Sequence, residues 1–177
     1  MSATPASDLL RAEHRLVESQ IDRLQHAVQH PAGDVVSEVR GILSAMQYLS
    51  QPHFAKEENV LYPYLRSRFP ELLSQMDEQH EYAREVERNV VELLEAISGS
   101  PDERQRAELV RFSIELCDVI QHHIVEEEDQ LLRLADSSLS GEEQAALAAK
   151  MKHLESPIGA SGIALDANAS PQVDDER

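Results

Sequence analysis

The sequence predicts an all-α protein, an up-down-up-down four-helix bundle with a short extra C-terminal helix and a disordered tail. Apolar residues recur at alternating steps of three and four through four long stretches, the pattern of amphipathic helices that pack at a shallow crossing angle. Strand-forming aromatics are scarce, at 4% with no Trp, and only six Gly occur, which favours packed helices over a sheet. A His-x-x-x-Glu pair also occurs twice, at His53–Glu57 and His123–Glu127. Residues four apart share one face of a helix, so each pair points an imidazole and a carboxylate the same way.

The first helix follows a short frayed lead, Met1 to Ala6, with Ser7-Asp8 as its expected N-cap. Its stripe is Leu10, His14, Val17, Ile21, Leu24 and Val28, and Pro31-Ala32-Gly33 breaks it. The second helix begins after Asp34 and carries Val39, Leu43, Met46, Leu49, His53, Glu57, Val60 and Tyr64. Pro52 inside it removes one backbone bond and predicts a kink that helps to aim His53. Pro63 and then Phe69-Pro70 bring that helix to an end. The third uses Leu73, Met76, His80, Ala83, Val90, Leu94 and Ile97, closing at Ser98-Gly99-Ser100-Pro101. The fourth starts at the Ser100/Asp102 turn and runs Leu109, Phe112, Leu116, Ile120, His123, Glu127, Leu131 and Leu134. A fifth, short segment from Gly141 to Leu154, rich in Ala and Glu, is expected to pack on the bundle. Residues 1–154 form the predicted domain. Glu155 to Arg177, aperiodic and rich in Gly, Ser, Asp and Pro, form the predicted disordered tail.

Composition narrows the function. The 177 residues suit one domain, and a net charge of −17 from 33 acidic and 16 basic residues repels nucleic acid and anionic lipid. The single cysteine, Cys117, allows no intramolecular disulfide and no Cys-based metal cluster. Its apolar helical setting predicts a quiet buried thiol. No apolar run approaches the ~18 residues of a membrane span, and the N-terminus lacks the basic-then-apolar plan of a signal peptide. The expected compartment is the cytoplasm.

Chemistry enters with the histidines. Of eight, His14, His53, His80 and His123 lie on the apolar stripes, one per helix, together with Glu57 and Glu127. His122 and Glu126 are also four apart, but their register continues through Glu115, Asp118 and Asp129, a solvated face. His26, His30 and His153 fall elsewhere. A lone histidine on an apolar face is more often a hydrogen-bonded core residue than a ligand. An acidic run is more often a solvated face, which is how Glu58, Glu126 and Glu128 read. Six inward polar residues in one core are different, because their desolvation is costly unless they neutralise something, and two divalent cations would do so. Imidazole suits iron and zinc alike. No Glu stands three residues before any His, as ferritin-like sites require, and no His-Glu-x-x-His occurs.

The order His, His-x-x-x-Glu, His, His-x-x-x-Glu on four helices resembles the hemerythrin-like (HHE cation-binding) domain, over residues about 8 to 135. His53-Phe54-x-x-Glu57-Glu58-x-x-Leu61-Tyr62-Pro63 and His123-Ile124-x-x-Glu127-Glu128 are family-like in detail. The resemblance implies a centre of two iron ions, bridged by Glu57 and Glu127 and by an oxo or hydroxo group, with the four histidines as terminal ligands, two per metal. The sequence departs from oxygen-carrying hemerythrin, which has His-x-x-x-His on the third helix where His80 is here followed by Arg84. It also has Glu127 four residues after His123, where that family has an Asp at five. It is thus similar to the four-His, two-Glu branch, with a metal position open to solvent, peroxide or nitric oxide.

The expected function is therefore a di-iron protein that binds or reacts with dioxygen, nitric oxide or peroxide in oxidative or nitrosative stress, with catalase-like disproportionation as its enzymatic form. The expected pocket is apolar, built of Val17, Met46, Leu49, Met76 and Ile120, with Tyr48 and Tyr82 near the ligands along the chain. The alternative is an iron-handling or oxygen- and redox-sensing module acting through protein contacts, with the fifth helix and tail as its output. Relatives of that kind often carry a separate Cys-bearing N-terminal region, which this sequence does not show. The sequence names no protein partner.

Overall fold

The structure is a computed structural model that describes residues 4–31 and 33–154. The predicted tail, 155–177, lies outside the described residues. The described residues form an all-helical bundle with an extra C-terminal helix and no strand. The first long helix is α1, Ala6–Gln29. The second is α2, Val35–Lys56, continued by a π-helical segment Glu57–Leu61 and a short α3, Tyr62–Leu65. The third is α4, Pro70–Ala96. The fourth is α5, Glu103–Glu126, continued by a second π-helical segment Glu127–Leu132 and by α6, Arg133–Ser138. The fifth helix is α7, Gly141–Leu154.

Local chemistry sets most boundaries. The Asp34 side chain accepts from the Ser37 amide and caps α2. Asp102 and Gln105 form a reciprocal capping box at α5, and Pro70 opens α4, where its missing N–H costs nothing. The turn into α5 uses Gly99 at φ +81°, a conformation that a β-carbon disfavours. The expected Ser7-Asp8 cap is not the cap. α1 starts a turn earlier at Ala6 behind Pro5, and Ser7 is buried, its hydroxyl donating to Asp136 (2.5 Å).

The second and fourth helices depart from the expected register in the same way. Helical spacing predicts Val60 and Tyr64 inside, yet Val60 is only half-buried and Tyr64 is exposed, while Leu61, Tyr62 and Leu65 are buried. Leu131 is buried as expected, but Leu134 is only half-buried and yields its place to Leu132 and Ala135. The cause is the π-helical segment after each cluster glutamate, which inserts extra residues into a turn and rotates everything downstream. The chain runs helically through Pro52 and Pro63, and the helix ends at Leu65, ahead of Phe69-Pro70.

α1 packs on α2 and α5, and α4 on α5. Two apolar clusters result. One holds Val17, Ile21, Met46, Ala83, Val90, Leu116 and Ile120. The other holds Leu10, Leu61, Tyr62, Leu73, Met76 and Leu131, and α7 covers it with Leu147, Ala148 and Met151. His14 falls between Leu10 and Val17, and His80 between Met76 and Ala83, so a polar layer separates two apolar ones. No described helix is long and apolar enough to cross a membrane.

Candidate metal centre

The six stripe residues meet in that polar layer, all of them buried. His14 and His53 bring their Nε2 atoms to 3.1 Å, and His80 and His123 do the same at 3.1 Å. Glu57 lies between the pairs, with Oε1 2.8 Å from His53 Nε2 and Oε2 3.1 Å from His80 Nε2. Glu127 Oε2 is 3.0 Å from His14 Nε2 and 3.9 Å from His123 Nε2, so it leans towards the first pair. Two overlapping donor groups follow, His14, His53, Glu57 and Glu127 in one and Glu57, His80 and His123 in the other.

These donors fit cations. All four carboxylate oxygens of Glu57 and Glu127 are buried with no hydrogen-bond donor aligned on them. Leaving such oxygens unmatched costs several kcal/mol, on the order of that for any buried uncompensated charge. Donors held at about 2.0–2.2 Å by one metal ion stand roughly 2.8–4.4 Å apart, and the spacings above fall in that range.

Each histidine is fixed from behind through Nδ1, and here sequence reasoning fell short. Glu128 Oε1 accepts from His14 Nδ1 (2.9 Å) and Glu58 Oε1 from His80 Nδ1 (2.7 Å). Glu13 Oε2 accepts from His53 Nδ1 (3.0 Å) and Gln79 Oε1 from His123 Nδ1 (2.9 Å). An ionised carboxylate only accepts, so Nδ1 carries the proton and Nε2 presents its lone pair to the cluster. Glu58 and Glu128 are therefore not the solvated face expected of an acidic run, since each reaches the histidine of a neighbouring helix. Glu126 is half-buried and accepts from Gln75 (2.7 Å) and Gln79. Arg84, standing where oxygen carriers have a histidine, ties down Glu58 instead.

Electrostatics describe what the cluster does with protons. Burial works against charge on His53, but Glu57 and Glu13 outweigh it and raise its pKa to about 10. The same contest, against Glu57 and Glu58, raises His80 to about 9. His123, buried and facing other imidazoles, is lowered to about 3 despite Glu57. Burial and the charge of Glu57 raise Glu127, while Glu57 is held down, against its burial, by His53 and His80. Without a cation, His53 and His80 thus favour a second proton, on Nε2, which a metal ion at the cluster would displace.

Val17, Ser50, Phe54, Ile120 and Ile124 close a cavity of about 10 Å³ against His14, His53 and His123. That is at the lower limit of the space that can hold one water. Val17 and Ile120 were expected there, but Met46 and Met76 belong to the flanking apolar clusters and Leu49 faces another groove. Phe54 stacks on His80 with ring centroids 3.9 Å apart. Tyr48 is exposed, and the half-exposed Tyr82 donates to Glu115 (3.0 Å), so neither approaches the cluster. Tyr62 does. Its hydroxyl is buried 3.3 Å from His80 Nε2, and burial together with Glu57 raises its pKa well above the usual value. His122 stays outside, paired with Glu126 at 3.6 Å.

Residues 6–135 match the family model described as Hemerythrin HHE cation binding domain. A search of curated proteins gave no match.

Proposed function

This chain belongs to the hemerythrin HHE cation-binding family, and we propose that it holds two iron ions and binds or reacts with dioxygen, nitric oxide or hydrogen peroxide. His14 and His53 would hold one ion and His80 and His123 the other, with Glu57 and Glu127 serving both. The observation that carries this reading is the set of four buried carboxylate oxygens without aligned donors beside four imidazoles that present Nε2. Two ferrous ions bound there would supply two reducing equivalents to a small molecule.

The chain's own residues supply the rest. Glu13, Glu58, Gln79 and Glu128 hold the Nδ1 protons and so fix ring orientation and tautomer. Val17, Phe54, Ile120 and Ile124 line a small apolar cavity beside the histidines, which keeps bulk water from them and suits a small uncharged molecule. Tyr62 keeps its proton at neutral pH and is the hydroxyl closest to His80 among the contacts described, able to donate to a ligand arriving beside that ring.

A second reading, as a sensing or iron-handling module, is favoured by one contact. α7 packs against α1, α2 and the π-helical segment that begins at Glu57, so a change in that carboxylate has a path to the surface.

The experiment is optical. The iron-loaded protein is reduced and then exposed separately to air, nitric oxide and peroxide. The reading expects a visible band that responds to at least one reagent, with peroxide turnover marking an enzyme. Iron-dependent protease cutting near α7, without any response to the three reagents, would favour the sensing module.

A further inference from the structure

The two halves of the bundle repeat one another around the cluster. His14 and His80 open the halves, and His53-x-x-x-Glu57-Glu58 and His123-x-x-x-Glu127-Glu128 close them, each running into a π-helical segment. The repeat extends to Glu128 and Glu58, which accept from His14 and His80 and are held in turn by Arg15 and Arg84. It breaks behind the other two histidines.

The residue before His14 is Glu13, whose carboxylate accepts from His53 Nδ1 and pairs with Lys56. The residue before His80 is Gln79, whose amide oxygen accepts from His123 Nδ1 while its nitrogen donates to Glu126. Lys56 and Glu126 are themselves equivalent, each directly preceding a cluster glutamate. Because the Glu126 carboxylate only accepts, Gln79 must turn its nitrogen to it and its oxygen to His123. The tautomer is therefore the same in both halves, but the strength of the pull is not. A charge-assisted hydrogen bond is roughly twice as strong as a neutral one. A carboxylate on Nδ1–H also makes Nε2 the better donor to a metal ion.

We propose that Glu13 and Gln79 make the two metal positions unequal. The position of His14 and His53 binds a cation more tightly, and the position of His80 and His123 fills second. This rests on the metal-centre reading above. The lean of Glu127 towards His14 acts in the same direction. Glu13 and Gln79 are positioning residues, since each acts through an imidazole.

The test is an anaerobic ferrous-iron titration of the metal-free full chain against a competing chelator, with circular dichroism confirming the fold. Wild type is compared with Glu13→Gln and with the double variant Gln79→Glu/Glu126→Lys, which rebuilds the Glu13–Lys56 pair in the second half. Wild type is expected to give two dissociation constants. Glu13→Gln weakens the tighter one by about 10- to 100-fold, and the double variant tightens the weaker one comparably. Mössbauer spectra of the loaded protein should show two distinct iron signals that converge in the double variant. Two irons bound with constants and signals unmoved in both variants would overturn the inequality and leave the metal centre standing. No iron taken up by wild type would overturn both.

Discussion

Glu58 adjoins Glu57 in sequence but serves the neighbouring helix, where its Oε1 accepts the Nδ1 proton of His80 across 2.7 Å. Arg84 holds it there. Removing such a hydrogen bond lowers metal affinity by about 10- to 100-fold in comparable sites. Glu58→Ala should do so here with unchanged helicity, as measured by chelator competition and circular dichroism. Unchanged affinity would return Glu58 to the solvated face on which sequence placed it.

Glu127 should show a reversal of sign. In the metal-free chain its buried carboxylate, raised in pKa by burial and by Glu57, is a liability. Glu127→Gln removes the cost of burying that charge and should stabilise the metal-free protein, the raised pKa meaning that desolvation outweighs the contact with His14. The same change should destabilise the iron-loaded protein by removing a ligand. Urea denaturation of both forms reads the two signs. Destabilisation of both forms would mean that the carboxylate is satisfied without metal.

Metal-free stability should peak near pH 6.5. His53 and His80 are raised to about 10 and about 9. Their contribution is complete below the unfolded value of about 6.5 and is lost as pH rises to 9–10. His123, lowered to about 3, acts oppositely: the unfolded chain takes up its proton first, so stability falls as pH drops below about 6.5. Iron occupying Nε2 should abolish the alkaline loss, and acid should release the metal. Thermal melts from pH 5 to 10, with and without iron, would reveal it. An alkaline loss of equal size in both forms would contradict this.

Cys117 is buried and its thiol is pushed up to about 12 by burial and nearby acids. Thiolate is the reactive form, so a thiol reagent should label native protein no faster than the chain opens. Rapid labelling without denaturant would show that α5 opens locally.

The buried cluster of six was legible because it obeys helical spacing. His14, His53, Glu57, His80, His123 and Glu127 each sit on an apolar stripe, and polar residues in such numbers on inward faces need a common reason. What lies beyond Glu57 and Glu127 was not legible. The π-helical turns are a tertiary outcome with no residue pattern of their own, so Val60 and Tyr64 were read as on the stripe. The roles of Glu13, Glu58, Gln79 and Glu128 depend on which helix faces which, and intrahelical spacing carries no such information. The repeated Glu-Glu after each His-x-x-x was the available signal, since a solvated face gives no reason for the second glutamate to recur.

Iron content of the purified, iron-reconstituted chain bears most directly on the whole reading. About two irons per chain are expected in wild type, with loss of at least one in His53→Ala, His80→Ala and Glu57→Ala. Wild type that binds no iron after anaerobic addition of ferrous ion, or variants that bind as much as wild type, would contradict a centre built on these six residues.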